Sequence, residues 1–216
     1  MSADEVVEER GSTRERLLKA AADLFARHGR ARVSIRDIAA AAGVQHGGIN
    51  YHFRSKDELY HEVLMRFGPA AVRSVFQLEI PAGLSPEDAR ELFARIVRQL
   101  VEVEVQEMDP VAAGLLRAEI AHPDGPNELL FERVIQPHHR GMTGLIGQMF
   151  PERSEAECEV AAFNVMSQCV FLRVARPVAL KLLGATEFDD DLTALVAQRI
   201  ITTALHGLGA PAEEQA

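Results

Sequence analysis

Apolar residues recur along the chain at three- and four-residue intervals, the repeat of helices with one buried face, and β-strand signals are absent. The pattern predicts an all-α protein. Leu17, Leu18, Ala21, Leu24 and Phe25 form the stripe of a first amphipathic helix. Ile35, Ile38, Ala39 and Ala42 then repeat at the spacing of one face, and Ser34 with Asp37 makes a capping-box-like start. Gly43 ends that helix, because glycine takes the left-handed conformation without a Cβ penalty and lets Val44 fold back onto it. In the helix that follows at once, Ile49 and Phe53 share the buried side and leave Gln45, His46, Gly47, Asn50 and Tyr51 facing outward. Two short helices folded about a glycine predict a helix-turn-helix whose second helix enters a DNA major groove about 12 Å wide.

The remaining pattern is helical as well. A helix from Ser55 runs to about Phe67, where Gly68-Pro69 breaks or bends it before helicity resumes towards Leu78; this segment is the candidate lever between the DNA reader and the rest, with Gly68-Pro69 as hinge. After a loop at Pro81 to Leu84, Ser85-Pro86-Glu87-Asp88 opens a helix ending near Met108. Asp109-Pro110 caps a shorter one ending at His122-Pro123-Asp124-Gly125-Pro126. A long helix follows from Asn127 to about Phe150, kinked at Pro137. Ser154 to Glu157 is a second capping box, starting a helix to Arg176-Pro177, and the last spans about Asp189 to His206. Residues 1–11 and 210–216 read as frayed tails, 12–58 as an N-terminal three-helix helix-turn-helix domain, and 59–209 as a C-terminal helical effector-binding and dimerisation domain.

The last two helices carry wider apolar faces than a covering helix needs. One presents Val160, Phe163, Ser167, Phe171 and Val174, the other Leu192, Leu195, Val196, Ile200 and Thr203. With their symmetry mates they would form a four-helix bundle, and a homodimer would set two readers about one DNA turn apart, the spacing of a palindromic operator.

Charge changes the picture. A net charge of −9 argues at first against nucleic acid, but residues 10–56 hold ten Lys and Arg against three Asp and Glu, a local +7, while residues 1–9 carry −4 and 57–216 carry −12. The basic patch coincides with the helix-turn-helix, as expected for salt-sensitive binding limited to one face. The N-terminus is acidic and no apolar run approaches the 18 or so residues of a membrane span, so a cytoplasmic protein without membrane partners is expected. The two cysteines, Cys158 and Cys169, exclude a disulfide scaffold and a Cys-rich zinc module; on one helix about 16 Å apart, they cannot pair with each other.

Thr13 to Phe53, followed by Ser55-Lys-Asp-Glu-Leu59, resembles the N-terminal domain of the TetR family of bacterial transcriptional regulators. The resemblance implies that Arg36 approaches bases or phosphates and that His52 and Lys56 hold the phosphate backbone. It also implies a dimer, and repression as the usual sign of regulation. Where the family commonly has Ser, Thr and Tyr, this chain has Gln45, Gly48 and Asn50. Phosphate-binding hydroxyls are therefore lost, and Asn50 gains a bidentate contact to adenine as an option. Leu116 to Pro123, Ile135 to His138 and Met166 to Pro177 resemble the C-terminal domain of the CecR-like branch of the same family. That implies a helical chamber for a small-molecule effector, an antibiotic or other toxic compound, whose binding releases the operator. Met108, Phe131, Met142 and Met166 are candidate walls, with Arg117, Asn164, Gln168 and Arg173 as polar anchors.

Rival readings use other residues. Glu119-Ile-Ala-His122 with His138-His139 would make a nitrogen and oxygen metal site, but loop and helix-end positions explain these histidines, so no metal or other cofactor is expected. A redox-responsive regulator would need reactive cysteines, and neither has an adjacent Lys or His in sequence. No phosphate loop, nucleophile elbow, dinucleotide fingerprint or zinc-protease motif occurs, which argues against an enzyme. An all-helical protein-interaction module would leave Arg36, His52 and Lys56 on one face without a use.

Overall fold

Hydrogen-bonding side chains set most helix starts. The computed structural model describes residues 3–45, 51–69, 80–122 and 130–209. Among them there is no strand, and nine α-helices run in order: α1 Ala3–His28, α2 Ile35–Ala42, α3 Lys56–Phe67, α4 Pro86–Val105, α5 Pro110–Ala121, α6 Gln136–Met149, α7 Glu155–Val174, α8 Arg176–Leu183 and α9 Asp190–Gly209. A 3₁₀ turn, Arg30–Arg32, precedes α2. Ser34, Ser55, Ser85 and Ser154 each accept a bond from the backbone N–H three residues on. At Ser34 and Ser154 the box is reciprocal, with Asp37 and Glu157 reaching back. Pro86 and Pro110 stand in first turns, where a missing N–H costs nothing.

Three elements differ from the periodic reading. α1 begins at Ala3, so it takes in positions assigned above to a frayed tail. Before Pro137 the backbone widens into a π-helical turn, Phe131–Ile135, which is how the chain passes a residue that cannot donate to the preceding turn. Pro177 does not stop helix formation after α7 but sits in the first turn of a further helix, α8, which turns 93° from α7.

Contacts divide the chain into two compact units, Met1–Phe76 with Met108–Ile135, and Gln77–Glu107 with Gln136–Ala216. In the first, α1 packs against α2, α3 and α5. Leu17, Leu18, Phe25, Ile38, Phe53, Leu59, Leu64 and Leu115 fill its core. In the second, α4, α6, α7 and α9 enclose Phe93, Val97, Met142, Leu145, Met149 and Val165. Both interiors are apolar, and among the described residues no polar or charged residue is fully buried.

Candidate nucleic-acid interface

The turn between α2 and its successor is built by Gly43. Its φ of 62° and ψ of 38° are left-handed, and Gly43 and Val44 donate to the carbonyls of Ala40 and Ala39 at 3.1 and 2.9 Å. Val44 packs partly buried on the core of the first unit, as its return onto α2 requires. His46, Gly47 and Asn50, with Gly48 and Ile49, lie outside the described residues. Tyr51 and His52 are helical, and Phe53, immediately after, is buried. Arg14 stacks over the Phe53 ring at 5.1 Å and pairs with Glu62 of α3.

Arg36 and Gln45 are exposed, and Tyr51 is 65% exposed with its ring edge-on to His52 at 5.2 Å. These groups sit on the solvent side of a core sealed by Ile38, Ala39, Ala42 and Phe53. Lys56 is placed differently. Its ammonium donates to the carbonyls of Arg30 and Val33 at 2.9 and 3.0 Å, and burial together with the neighbouring Arg30 charge lowers its pKa. Arg30 is turned inward against Asp57 and lies 6.0 Å over the Tyr60 ring. Sequence periodicity could not anticipate either contact, because both depend on how the 3₁₀ turn packs on α3.

The residues proposed as effector walls and anchors are spread over both units. Met108, Arg117 and Phe131 belong to the first, where Arg117 and Phe131 are exposed. In the second, Met142 is buried and Met166 half-buried, whereas Asn164 and Gln168 are exposed. Arg173 is the anchor with a built environment: it pairs with Glu104 and donates to the Val103 carbonyl. Burial raises the pKa of Glu104, and Arg173 with His138 opposes that rise. The thiol of Cys169 is pushed up to about 12 by burial and by the Glu104 charge. No three His, Cys, Asp or Glu among the described residues are grouped to hold a metal ion, and Glu119 instead accepts the Tyr60 hydroxyl.

On α7, Val160, Phe163, Asn164, Ser167, Gln168 and Phe171 are all exposed and share one face, opposite the buried Cys158, Ala162, Val165 and Cys169. With α9 this face forms a groove of about 650 Å³, lined by Ser167, Phe171, Leu192, Leu195, Val196, Ile200 and Thr203. Seven of the ten positions expected on the two apolar faces therefore line one surface. Leu183 of α8 joins them, and Val178 and Leu182 beside it are also exposed, a contribution hidden in sequence by the reading of Pro177 as a stop.

Residues 17–63 match the model for bacterial regulatory proteins of the tetR family, and residues 89–210 match that for the C-terminal domain of the HTH-type transcriptional dual regulator CecR. The chain belongs to the TetR family. That family comprises transcriptional regulators, not enzymes. The CecR regulator of Shigella flexneri is 26% identical over 87% of both chains. An Escherichia coli K12 protein named "Probable acrEF/envCD operon repressor" is 32% identical over 39% of this chain, and that match spans only 38% of its own length. A transcriptional regulator structure from Pseudomonas aeruginosa PAO1 shares the TetR-like fold with a TM-score of 0.55 and 22% identity, covering 94% of this chain and 92% of that one. Among the described residues no single helix is long and apolar enough to cross a membrane.

Proposed function

We propose that the protein is a dimeric, sequence-specific DNA-binding repressor that releases a palindromic operator when a small molecule occupies its C-terminal helices. The observation that carries the reading is the capped α2 and left-handed Gly43 turn, with Arg36, Gln45 and Tyr51 exposed beside it in a segment of local charge +7. Arg36 approaches bases or phosphates, and His52 and Lys56 hold the phosphate backbone. Gln45, His46, Gly47, Asn50 and Tyr51 face the groove, and Asn50 recognises adenine.

The exposed α7 face supports self-association, since a monomer would leave Phe163 and Phe171 61% and 51% exposed, with Leu195 of α9 54% exposed beside them, although Ile200, also expected at the interface, is already buried within the single chain. The half-buried Glu104–Arg173 pair supports an effector with a polar group, which would exchange with one member of the pair. An antibiotic or similar toxic compound fits the CecR-type C-terminal domain. Release of DNA then follows from preferential binding to the conformer whose two readers are misaligned.

Selection of genomic fragments by the purified protein at near-physiological salt tests the reading, with Arg36→Ala as control. Enrichment of a palindrome by the wild type alone supports it. A folded dimer that enriches nothing counts against it.

A further inference from the structure

The exposed face of α7 runs for about 16 Å from Val160 to Phe171 and has two halves. Its C-terminal half, Ser167 and Phe171, is one wall of the groove of about 650 Å³; Leu195 of α9 and Leu183 of α8 stand on the others. Its N-terminal half, Val160 and Phe163, is exposed and does not line that groove. One chain therefore carries a projecting aromatic side chain and, further along the same helix, an apolar groove with room for one. The α8 wall exists because Pro177 starts a new helix at 93° to α7. Ala179 is buried beneath α8, whereas Val178 and Leu182, one turn apart beside Leu183, are exposed, Leu182 at 77%.

We propose that α8 is a working part of the surface that receives a second copy of this chain, and that Phe163 of each copy inserts into the other's groove against Phe171 and Leu183. The inference rests on the self-association reading above and gives that contact its geometry. Phe163 and Phe171 stand four residues before and four after Ser167, on one face of α7. A two-fold axis passing near Ser167 lays the two α7 helices antiparallel, so both insertions form together and the contact closes on itself. Filling the groove by any repeat that does not close would instead build an open filament. Charge agrees with the antiparallel arrangement. The start of α7 carries exposed Glu155 and Glu159, and the groove holds exposed Arg199, so the acidic end of one copy is directed towards the basic groove of the other.

A double-mutant cycle tests the pairing. Sedimentation equilibrium of the full chain gives the dimer dissociation constant for wild type, Phe163→Glu, Leu183→Lys and the double variant, with helicity checked for each. Within one chain Phe163 lies outside the groove that Leu183 lines, so coupling between the two positions reports contact between copies. Each single substitution is expected to raise the constant about tenfold or more, as for a central interface residue. The double variant sets opposite charges face to face at both insertions, and is expected to recover most of that loss.

Losses that simply multiply in the double variant overturn the pairing, and a Leu183→Lys dimer as tight as wild type overturns the part given to α8. If Leu183→Lys loses helicity, the same cycle is read with Phe163→Ala and Leu183→Ala, where a shared contact makes the double loss smaller than the product of the single ones. Wild-type protein that stays monomeric at every concentration sinks the self-association reading itself, a result distinct from a dimer indifferent to Leu183.

Discussion

Tyr60 of α3 donates its hydroxyl to the Glu119 carboxylate of α5 across 2.5 Å, joining two helices whose bonded residues are 59 positions apart. The Tyr60 ring is buried edge-on against Phe25 of α1 at 5.0 Å, so three helices meet at this residue. Burial raises the pKa of Glu119, and the Tyr60 bond and the Arg30 charge oppose the rise.

Removing the hydroxyl leaves a half-buried carboxylate without its donor. Tyr60→Phe is expected to cost about 1.5 kcal/mol, the low end for a bond to a charged group, because Glu119 keeps part of its hydration. Glu119→Gln should act in the other direction. A carboxyl with a raised folded pKa adds stability that is complete below the ordinary glutamate range and is lost as pH rises through the raised value. Urea unfolding should therefore favour the Gln variant increasingly from acid to neutral pH. A difference independent of pH would refute this account of Glu119.

At Gly114 α5 lies close against α1: a Cβ there would stand 2.6 Å from the Ala26 carbonyl oxygen and 2.7 Å from the Ala26 Cβ. Backbone cannot yield as a side chain can, so Gly114→Ala should destabilise by about 1–3 kcal/mol despite the better helix propensity of alanine. Gly144 on α6 has nothing within 4 Å of such a Cβ, and Gly144→Ala should stabilise by up to about 1 kcal/mol. Thermal denaturation of the two variants should move in opposite directions.

Phe163 and Phe171 lie exposed on the α7 face that the dimer reading uses. Phe163→Asp with Phe171→Asp should weaken self-association while leaving the fold within about 0.5 kcal/mol, since little is buried in the single chain. Sedimentation at micromolar concentration reads the result. Wild type already at monomer mass would remove the argument for a palindromic site.

Both cysteines are buried, and both thiol pKa values are raised, by burial first and by neighbouring glutamates second. The thiolate is the reactive form, so neither should react with a disulfide reagent at neutral pH until the protein is unfolded. Rapid titration of one thiol in the folded protein would restore the redox-responsive alternative.

What was legible in the chain is what depends on neighbours in sequence. The caps at Ser34, Ser55, Ser85 and Ser154 and the stop at Gly43 each involve bonds or dihedral angles within four residues, and each stands where spacing and residue type predict it. The stripe of α7 needed only the helical repeat. The fate of Pro177 was not legible, because a proline ends one helix or begins the next according to what packs around it, and here it begins α8.

Side-chain partners were decided by tertiary structure. Lys56 reads in sequence as a phosphate ligand at a helix start, and only the packing shows that its ammonium also donates to carbonyls 26 and 23 residues away. Gly141, Gly144 and Gly147 read as helix interior, yet with the loop at Ile80 to Leu84 they line an open groove of about 940 Å³. Local bonds and backbone angles belong to the sequence, since they form between residues the chain already holds together. Which distant groups a charged side chain meets belongs to the packing of helices, which brings those groups within reach.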